Sequence, residues 1–366
     1  MRWLSAHGRV LVIGPRMDAR GGIARVNATY SQAGLFNDTD SKVLIRYFPS
    51  TGDGSSLWKL AYAGMRLAIF TMCPMPRPTV VHLHMTGNAS FWRKAAFAFV
   101  AQAKGAEVIH HIHAFSVLEF YRTGGRIRKA AIRTTLRRAA CLIALTPGMA
   151  ALLRQIVPDQ RVEVLPNPID LKALQVEPPP PRDPSMVLFL GWFVAEKGIY
   201  DLLEAIARAT PRIANLRLVL GGYRNEMAVR ARVRALGLTD HVDIRGWIDR
   251  AGVAMILRQC ALLALPSHTE GFGLVLIEAM ACGTPIVTCP VGGIPEVLQS
   301  PRNAIFVPPR DVNALSSAII DVLMQPQVRD MMAATGPDDA KRYDVARLIP
   351  QLRLIYTRVL ARPAAD

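Results

Sequence analysis

Short apolar runs that are typical of buried strands alternate with helical stretches along almost the whole chain. The first run, RVLVIG at 9–14, ends in a glycine, and similar runs follow at KVLIRYF, TVVHLHM, EVIHHIH, CLIALT and VEVLP. Near-continuous apolar runs indicate parallel strands that are covered on both faces. The alternation therefore predicts an α/β fold with strand–helix–strand crossovers and doubly wound sheets.

The alternation is interrupted at 176–185 by the segment VEPPPPRDPS. Four consecutive prolines cannot lie inside a helix or a central strand, so the segment predicts a stiff linker between two domains. The length of 366 residues agrees with two domains of roughly 150 residues each. We predict two Rossmann-like domains that face each other across a cleft. The boundaries are an N-terminal domain at 1–172, the linker at 173–185, a C-terminal domain at 186–344, and a last helix at 345–366 that packs back on the N-terminal domain.

The charge is concentrated in the first half of the chain. Residues 1–170 hold 22 Lys and Arg against 9 Asp and Glu, whereas the remaining residues hold 22 against 19. Because like charges repel one another, this excess of positive charge favours an anionic partner for the N-terminal domain. The partner could be nucleic acid, anionic lipid or a phosphorylated substrate. We expect no membrane span, because the most apolar stretch, at 57–72, is interrupted by Lys59 and Arg66. The opening residues read as a strand from Arg9 rather than a cleavable signal.

Two basic helical patterns narrow the choice of partner. Lys59 and Arg66 lie seven residues apart, hence on one helix face, beside aromatic and aliphatic bulk. A second stripe at helical spacing consists of Arg126, Lys129, Arg133 and Arg137. Both patterns are also typical of ordinary solvated helices, but with the charge asymmetry they favour an anionic membrane surface. Nucleic acid is less favoured because no nucleic-acid motif accompanies the patch.

The stretch PSHTEGFGLVLIEAMACGTPIV at 266–287 holds two carboxylates around a glycine turn. With Glu270 in the loop and Glu278 on a helix that starts near Leu274, both can converge on the end of the preceding strand. The free amides at 272–274 favour an anion at the helix start. This combination suits a nucleotide sugar, with its diphosphate on the amides and its hydroxyls on the glutamates. Alternatively, Glu278 has a structural capping or pairing role.

The block Glu270-x7-Glu278 closely resembles the retaining family 4 glycosyltransferases of the GT-B fold. VLPNPID resembles the segment that leaves that family's first domain, and FLGWFVAEKGIYDLLEAI resembles its strand, donor-phosphate loop and helix. The loop with Gly21, Gly22 and Ile23 resembles the glycine loop after the first strand. The resemblance runs over nearly the whole chain and is strongest at 186–310.

The resemblance implies roles for the matching residues. Lys197 would neutralise the donor diphosphate, Glu278 would bind the ribose hydroxyls, and Glu270 would stabilise positive charge that develops at the anomeric carbon. Further donor contacts would come from Gly22, Gly191, Gly271, Phe272, Gly273, Gly292 and Gly293. The chain departs from the family at Trp192, where an arginine usually follows the loop's first glycine. Either another arginine substitutes, with Arg20 and Arg25 as candidates, or leaving-group stabilisation is weaker.

Several histidines follow strand patterns. His82 and His84 lie on one strand, and EVIHHIH places His111 and His113 on one face of the next and His110 on the other. A metal site, a structural cluster and an active-site histidine all remain open. The resemblance implies that His113 faces the donor sugar and that no metal ion is needed.

We therefore expect a retaining glycosyltransferase that moves a sugar from a nucleotide-diphosphate sugar to a hydroxyl of a lipid-linked or polysaccharide acceptor, in bacterial cell-surface glycan synthesis. The partners would be the donor, the acceptor and an anionic membrane surface, with no nucleic acid and no cofactor or metal. The protein would be cytoplasmic and peripheral on the inner face of the plasma membrane. Five cysteines without a Cys-x-x-Cys pair agree with a reducing compartment.

Three other readings remain. A non-hydrolysing sugar-nucleotide epimerase of the same architecture is disfavoured by the Glu-x7-Glu block. A non-catalytic basic adaptor for lipid or nucleic acid leaves the carboxylate loop without a purpose. A dinucleotide-dependent oxidoreductase is disfavoured because IGPRMDARGG and LGWFVAEKG both lack Gly-x-Gly-x-x-Gly.

Overall fold

The computed structural model describes residues 8–36 and 43–361. The chain divides into two units, one made of residues up to Pro168 together with the last helix, and one made of Ile169–Asp344. Residues 1–7, where we expect no cleavable signal, and residues 362–366, the end of the predicted last helix, lie outside the described part.

Within the described residues, each unit has a six-stranded parallel sheet. The first sheet contains β1 (Gly8–Pro15), β2 (Val43–Thr51), β3 (Thr79–Met85), β4 (Glu107–Ile112), β5 (Cys141–Ala144) and β6 (Val162–Val164). The second contains β7 (Asp183–Leu190), β8 (Arg217–Gly221), β9 (Val242–Gly246), β10 (Cys260–Leu265), β11 (Ile286–Thr288) and β12 (Ile305–Phe306). Strand β3 is buried at every position because helices cover both faces of the sheet.

The helices follow the strands in regular alternation. They are α1 (Gly22–Gln32), α2 (Ser56–Met72), α3 (Ala89–Ala103), α4 (Ser116–Arg122), α5 (Arg126–Arg137), α6 (Pro147–Ile156), α7 (Ile199–Ala209), α8 (Glu226–Ala235), α9 (Arg250–Gln259), α10 (Leu274–Ala281), α11 (Ile294–Val297), α12 (Val312–Met324), α13 (Pro326–Ala340) and α14 (Val345–Leu360). Helix α7 shows why these segments fold so: its buried residues recur at helical spacing, from Ile199 through Leu203 to Ile206.

The strand order fixes where each sheet offers a binding edge. The first sheet runs β2-β1-β3-β4-β5-β6, and the second runs β12-β11-β10-β7-β8-β9. The order therefore reverses between β1 and β3 in the first unit and between β7 and β10 in the second. Ligands of open α/β sheets bind outside the carboxyl ends of the strands at such a reversal.

The crossovers sort the helices of the first unit onto two faces. Since parallel crossovers are right-handed, α2, α3, α4 and α5 share one face of the sheet, and α1 covers the other. Helix α14 joins α1, because the Tyr356 hydroxyl shares a 2.6 Å hydrogen bond with His82 Nδ1 on β3.

The structure moves two of the predicted boundaries. The first unit ends at Pro168 rather than at 172, because Ile169 already pairs with Asp344 of the second unit. Strand β7 begins at Asp183, so the last three residues of the predicted linker belong to the sheet. The Asp183 side chain accepts a 3.0 Å hydrogen bond from Ser185 N, and a proline is tolerated at 184 because it lies at the start of the strand.

Candidate functional site

An ion pair lies at the reversal point of the second sheet. Lys197 Nζ donates a hydrogen bond of 2.5 Å to Glu270 Oε2, and Glu270 Oε1 accepts one of 3.1 Å from Gly271 N. Lys197 belongs to the loop after β7, and Glu270 belongs to the loop after β10. The side chains are 24% and 14% exposed, so the pair is largely but not fully shielded from solvent. The structure thus brings together two of the predicted site residues.

Two glycines allow the loops to approach this closely. Gly198 has φ +68°, and a Cβ there would lie 2.0 Å from Pro266 O at the end of β10. Gly292 has φ +57°, and a Cβ there would lie 1.8 Å from Glu270 O. Only glycine fits either place without a shift of the backbone. Gly292 is among the predicted donor contacts and Gly198 is not, although the sequence shows Gly198 directly after Lys197 at a helix start.

Helix α10 starts beside Glu270. Gly273 precedes it with φ +74°, and no side chain caps its first amides, which leaves N–H groups for an anion. Phe272 is only 3% exposed and packs edge-to-face on Tyr343, with ring centroids 5.7 Å apart. Its backbone can therefore contribute to a binding site, but its side chain belongs to the core. Glu278, 5% exposed, lies one turn further along α10.

Other contacts hold the same loops in place. His268 shares a 2.6 Å hydrogen bond with Asp201 Oδ2 on α7, and its backbone N donates to Glu196 O. Gly191 N donates to Gly221 O, and Gly293 follows Gly292 at the start of α11. The position of Asp201 on α7 gave no signal in the sequence, since it reads as one polar residue among many.

Gly22 lies in the first unit, as the first residue of α1 after the loop that follows β1. Gly21 before it has φ +155°, and a Cβ added there would meet nothing within 4 Å. Arg20 N donates a 2.8 Å hydrogen bond to Asp53 Oδ2, which ties this loop to the segment after β2.

Four histidines, His82, His84, His111 and His113, form a buried network on the α14 face of the sheet, whereas His110 lies on the opposite face. His84 Nδ1 and His113 Nε2 are 2.6 Å apart, and His82 Nε2 and His111 Nδ1 are 3.2 Å apart. Burial lowers the pKa of His82 and of His113 to about 3, and that of His110 to about 4. Each imidazole is therefore neutral at pH 7. His113, predicted to face the donor sugar, is 7% exposed and lies within this network.

His82, His84 and His111 could also hold a metal ion, because one nitrogen atom of each lies within 4.8 Å of the others. Neutral imidazoles are suitable ligands. However, both ring nitrogens of His82 already share hydrogen bonds, with Tyr356 and with His111. A metal would therefore have to displace part of the network.

The predicted basic faces differ from each other. On α2, Arg66 Nε donates to Pro49 O at 2.8 Å with its guanidinium over Phe48, and Lys59 is half-buried, so the outer face is apolar instead. Its most exposed apolar side chains are Leu57, Leu60 and Met72. On α5, Arg126, Arg133 and Arg137 are exposed and Lys129 is half-buried, opposite the fully buried Ile132 and Leu136. Across the described residues, no helix has the length and apolar character needed to cross a bilayer.

Comparisons with known proteins match both units. Residues 172–339 match the family of glycosyl transferases group 1, and residues 2–168 match the glycosyl transferase 4-like domain. The phosphatidyl-myo-inositol mannosyltransferase of Mycobacterium leprae is 31% identical over 200 residues, which are 53% of this chain and 53% of that enzyme. The match thus spans about half the length of that relative.

Solved structures share the fold. Sucrose-phosphate synthase from Thermosynechococcus elongatus has a TM-score of 0.78 at 21% identity, over 97% of this chain and 100% of that one. HepE of Anabaena, solved in complex with UDP-glucose, has a TM-score of 0.73 at 17% identity, over 96% and 99%. The predicted fold class is confirmed: the chain has the α/β, two-domain GT-B fold.

Proposed function

The chain belongs to the glycosyl transferases group 1, and on that premise we propose that it is a retaining glycosyltransferase that uses a nucleoside diphosphate sugar. The observation that carries the proposal is the Lys197–Glu270 pair at the reversal point of the second sheet, beside the uncapped start of α10. A cation and free amides at one sheet edge suit a diphosphate. The complex of the similar HepE with UDP-glucose supports a uridine nucleotide as the first donor to test.

The arrangement suggests how the residues act. As the nucleoside diphosphate leaves, negative charge grows on its phosphate oxygens, where Lys197 and the α10 amides stabilise it. Glu270 then turns from its lysine partner toward the positive charge at the anomeric carbon. Glu278 binds the ribose hydroxyls. The acceptor hydroxyl attacks from the face that the diphosphate leaves and gives its proton to the departing phosphate oxygen. Because Lys197 and the amides supply the positive charge, we infer that no metal ion is required.

The test is acceptor-dependent release of nucleotide from a panel of nucleotide sugars. We expect Lys197→Ala to lower kcat/KM by roughly 10²–10³-fold, as the loss of a transition-state contact does. Glu278→Ala should lower kcat/KM mainly by raising KM, because Glu278 contacts the ribose before and during the reaction alike. Lys341→Ala and Asp338→Ala change the two residues of an exposed ion pair elsewhere in the unit and should leave kcat/KM unchanged. EDTA should have no effect, and NMR of the product should show the donor's anomeric configuration.

Several outcomes would contradict the proposal. If no activated sugar is turned over, the proposed glycosyltransferase activity is wrong. Conversion of the donor without an acceptor would indicate an epimerase. Inversion at the anomeric carbon would show that the enzyme is not a retaining one. Activity that EDTA abolishes and Mg²⁺ restores would show that the reaction requires a metal ion.

We further propose that the first unit binds a membrane surface from which it takes a lipid-linked acceptor in cell-surface glycan synthesis. The helices α2, α3 and α5 lie on one face of its sheet, and each exposes apolar side chains there: Leu57, Leu60 and Met72 on α2, Trp92 and Phe99 on α3, and Ile127 on α5. The exposed arginines of α5 add positive charge to that face. Exposed apolar bulk beside basic residues is typical of helices that lie in a membrane interface.

Vesicle sedimentation tests this proposal. The protein should sediment with phosphatidylcholine vesicles that contain phosphatidylglycerol, after nuclease treatment, and far less with phosphatidylcholine alone. Leu57→Ser with Leu60→Ser should weaken sedimentation several-fold, while Met227→Ser, at 86% exposure on α8, should not. Sedimentation that is independent of lipid charge and of both leucines would contradict the proposal.

A further inference from the structure

An arginine lies flat on a tryptophan beside the loop that carries Lys197. The Arg224 guanidinium carbon is 3.7 Å from the centroid of the Trp192 ring. Trp192 is the second residue after β7 and precedes Lys197 by five positions, while Arg224 follows β8, the neighbouring strand. Both residues therefore lie at the carboxyl edge of the sheet, where its ligand binds.

The two loops are joined by a backbone hydrogen bond and by a side-chain amide of Asn225. Phe193 N donates to Tyr223 O at 3.0 Å, and Asn225 Nδ2 donates to Phe193 O at 3.1 Å. A Cβ on Gly222 would lie 1.8 Å from Gly191 O, so the approach requires glycine there. Arg224 and Trp192 therefore belong to two loops that these contacts hold together.

The backbone at the arginine is held in an unusual conformation. Arg224 and Asn225 have φ values of +77° and +45°, in the left-handed region that residues other than glycine rarely adopt. Such strain persists where the surrounding contacts impose it, and it is concentrated at functional sites. In this segment the Arg224 guanidinium lies over the Trp192 ring.

Arg224 also differs from the arginines around it in its partners. Arg230 pairs with Glu226, Arg232 with Glu204, and Arg245 with Asp243. Among the described residues, the recorded contacts of the Arg224 side chain are with the rings of Trp192 and Tyr223. A guanidinium that stacks through its face keeps its N–H donors available, because they lie in the plane of the guanidinium and point away from the stack. Their fork geometry matches phosphate oxygens.

We propose that Arg224, held on Trp192, binds the same diphosphate as Lys197 and is the second phosphate-binding cation of this chain. The inference rests on the proposed function. It assigns the phosphate-binding cation that is missing because Trp192 stands where the family usually has an arginine. Arg20 and Arg25, the candidates from the sequence, belong to the other unit, whereas Arg224 follows the strand next to the Lys197 loop. A phosphate contact makes its contribution independent of the nucleobase.

The test is calorimetric titration of the full chain with UDP, GDP, ADP and uridine. Arg224→Gln should raise the Kd of every diphosphate that binds by about 10-fold, the effect of one lost charged hydrogen-bonded contact, and leave the Kd of uridine unchanged. Arg230→Gln is the matched control and should change neither. Adding Trp192→Arg to Arg224→Gln should restore part of the diphosphate affinity, which a merely structural role for Arg224 would not allow. Unchanged melting temperatures would show that the variants fold.

The outcomes separate the inference from the function on which it rests. If Lys197→Ala weakens UDP binding and Arg224→Gln does not, Arg224 is no phosphate ligand and the inference alone is wrong. If Arg224→Gln weakens uridine as much as UDP, or affects a single base only, Arg224 contacts the nucleoside and the inference is again wrong. If the unmodified chain binds no diphosphate, the proposed function and the inference both fail.

Discussion

Burial shifts the pKa of single side chains in this protein, and Lys94 is the clearest case. It lies on α3 with 3% exposure, and its ammonium donates to Ser50 Oγ, which in turn donates to Gly14 O at 2.9 Å. Burial, and secondarily the charge of Arg93, lowers the pKa of Lys94 from an ordinary 10.5 to about 7. The amine is thus buried near the carboxyl ends of β1 and β2, next to the reversal point of the first sheet.

Lys94 should make stability depend on pH in a definite direction. Above pH 10.5 the amine is neutral in both states. As the pH falls from 10.5 to 7 only the unfolded chain takes up the proton, so the native state loses stability, and below 7 the loss is constant. Relative to Lys94→Met, the native protein should therefore gain about 1.4 kcal/mol per pH unit between pH 7 and 10. Urea unfolding at several pH values measures this, with Lys341→Met as an exposed control. A difference that is independent of pH would contradict it.

At the scale of elements, the turns at the ends of strands position the candidate site. The loops after β7, β8, β10 and β11 each contain a glycine that a Cβ would force against a neighbouring carbonyl or ring, or that adopts a left-handed φ. The sequence predicts the strands and helices well because each has its own apolar pattern, as in the helix starts at Ile199 and Leu274. It does not predict which loops meet, because that depends on contacts between distant segments.

Gly292→Ala should damage the site more than a left-handed backbone alone would. Gly292 and Gly237 have φ values of +57° and +68°, but a Cβ at Gly237 meets nothing within 4 Å, whereas one at Gly292 meets Glu270 O. Gly237→Ala should cost about 1–2 kcal/mol of unfolding free energy, the cost of a left-handed residue. Gly292→Ala should cost more and also weaken diphosphate binding, since it displaces Glu270. Thermal unfolding and calorimetry measure both. Equal effects of the two variants would refute the role of the close approach.

At the scale of the whole molecule, the chain leaves its first unit at Pro168 and returns to it with α14. That helix buries Leu348, Leu352 and Tyr356 and contributes the hydroxyl that meets His82. The second unit is continuous in sequence, whereas the first depends on the end of the chain. The two should therefore respond differently to loss of α14.

A chain that ends at Asp344 should keep a folded second unit and lose the first. Hydrogen exchange should show protection of β7–β12 and none of β1–β6. UDP binding should persist, because Lys197 and Glu270 belong to the second unit. Within the full chain, Leu352→Ala, at 1% exposure, should cost about 2–5 kcal/mol, while Leu354→Ala, at 50%, should cost little. Full protection of β1–β6 in the shortened chain would contradict the prediction.

The sequence by itself determined the class of fold, the order of elements and the segment that holds the two carboxylates of the candidate site. These follow from local patterns: the alternation of apolar runs, four prolines, and two glutamates about a glycine turn. The tertiary structure alone decided that Lys197 pairs with Glu270, that Arg66 is tied to β2, and that Arg224 lies on Trp192. Each of these joins segments that are 17 to 73 residues apart, and a local pattern carries no information about the partner that a distant loop brings to it.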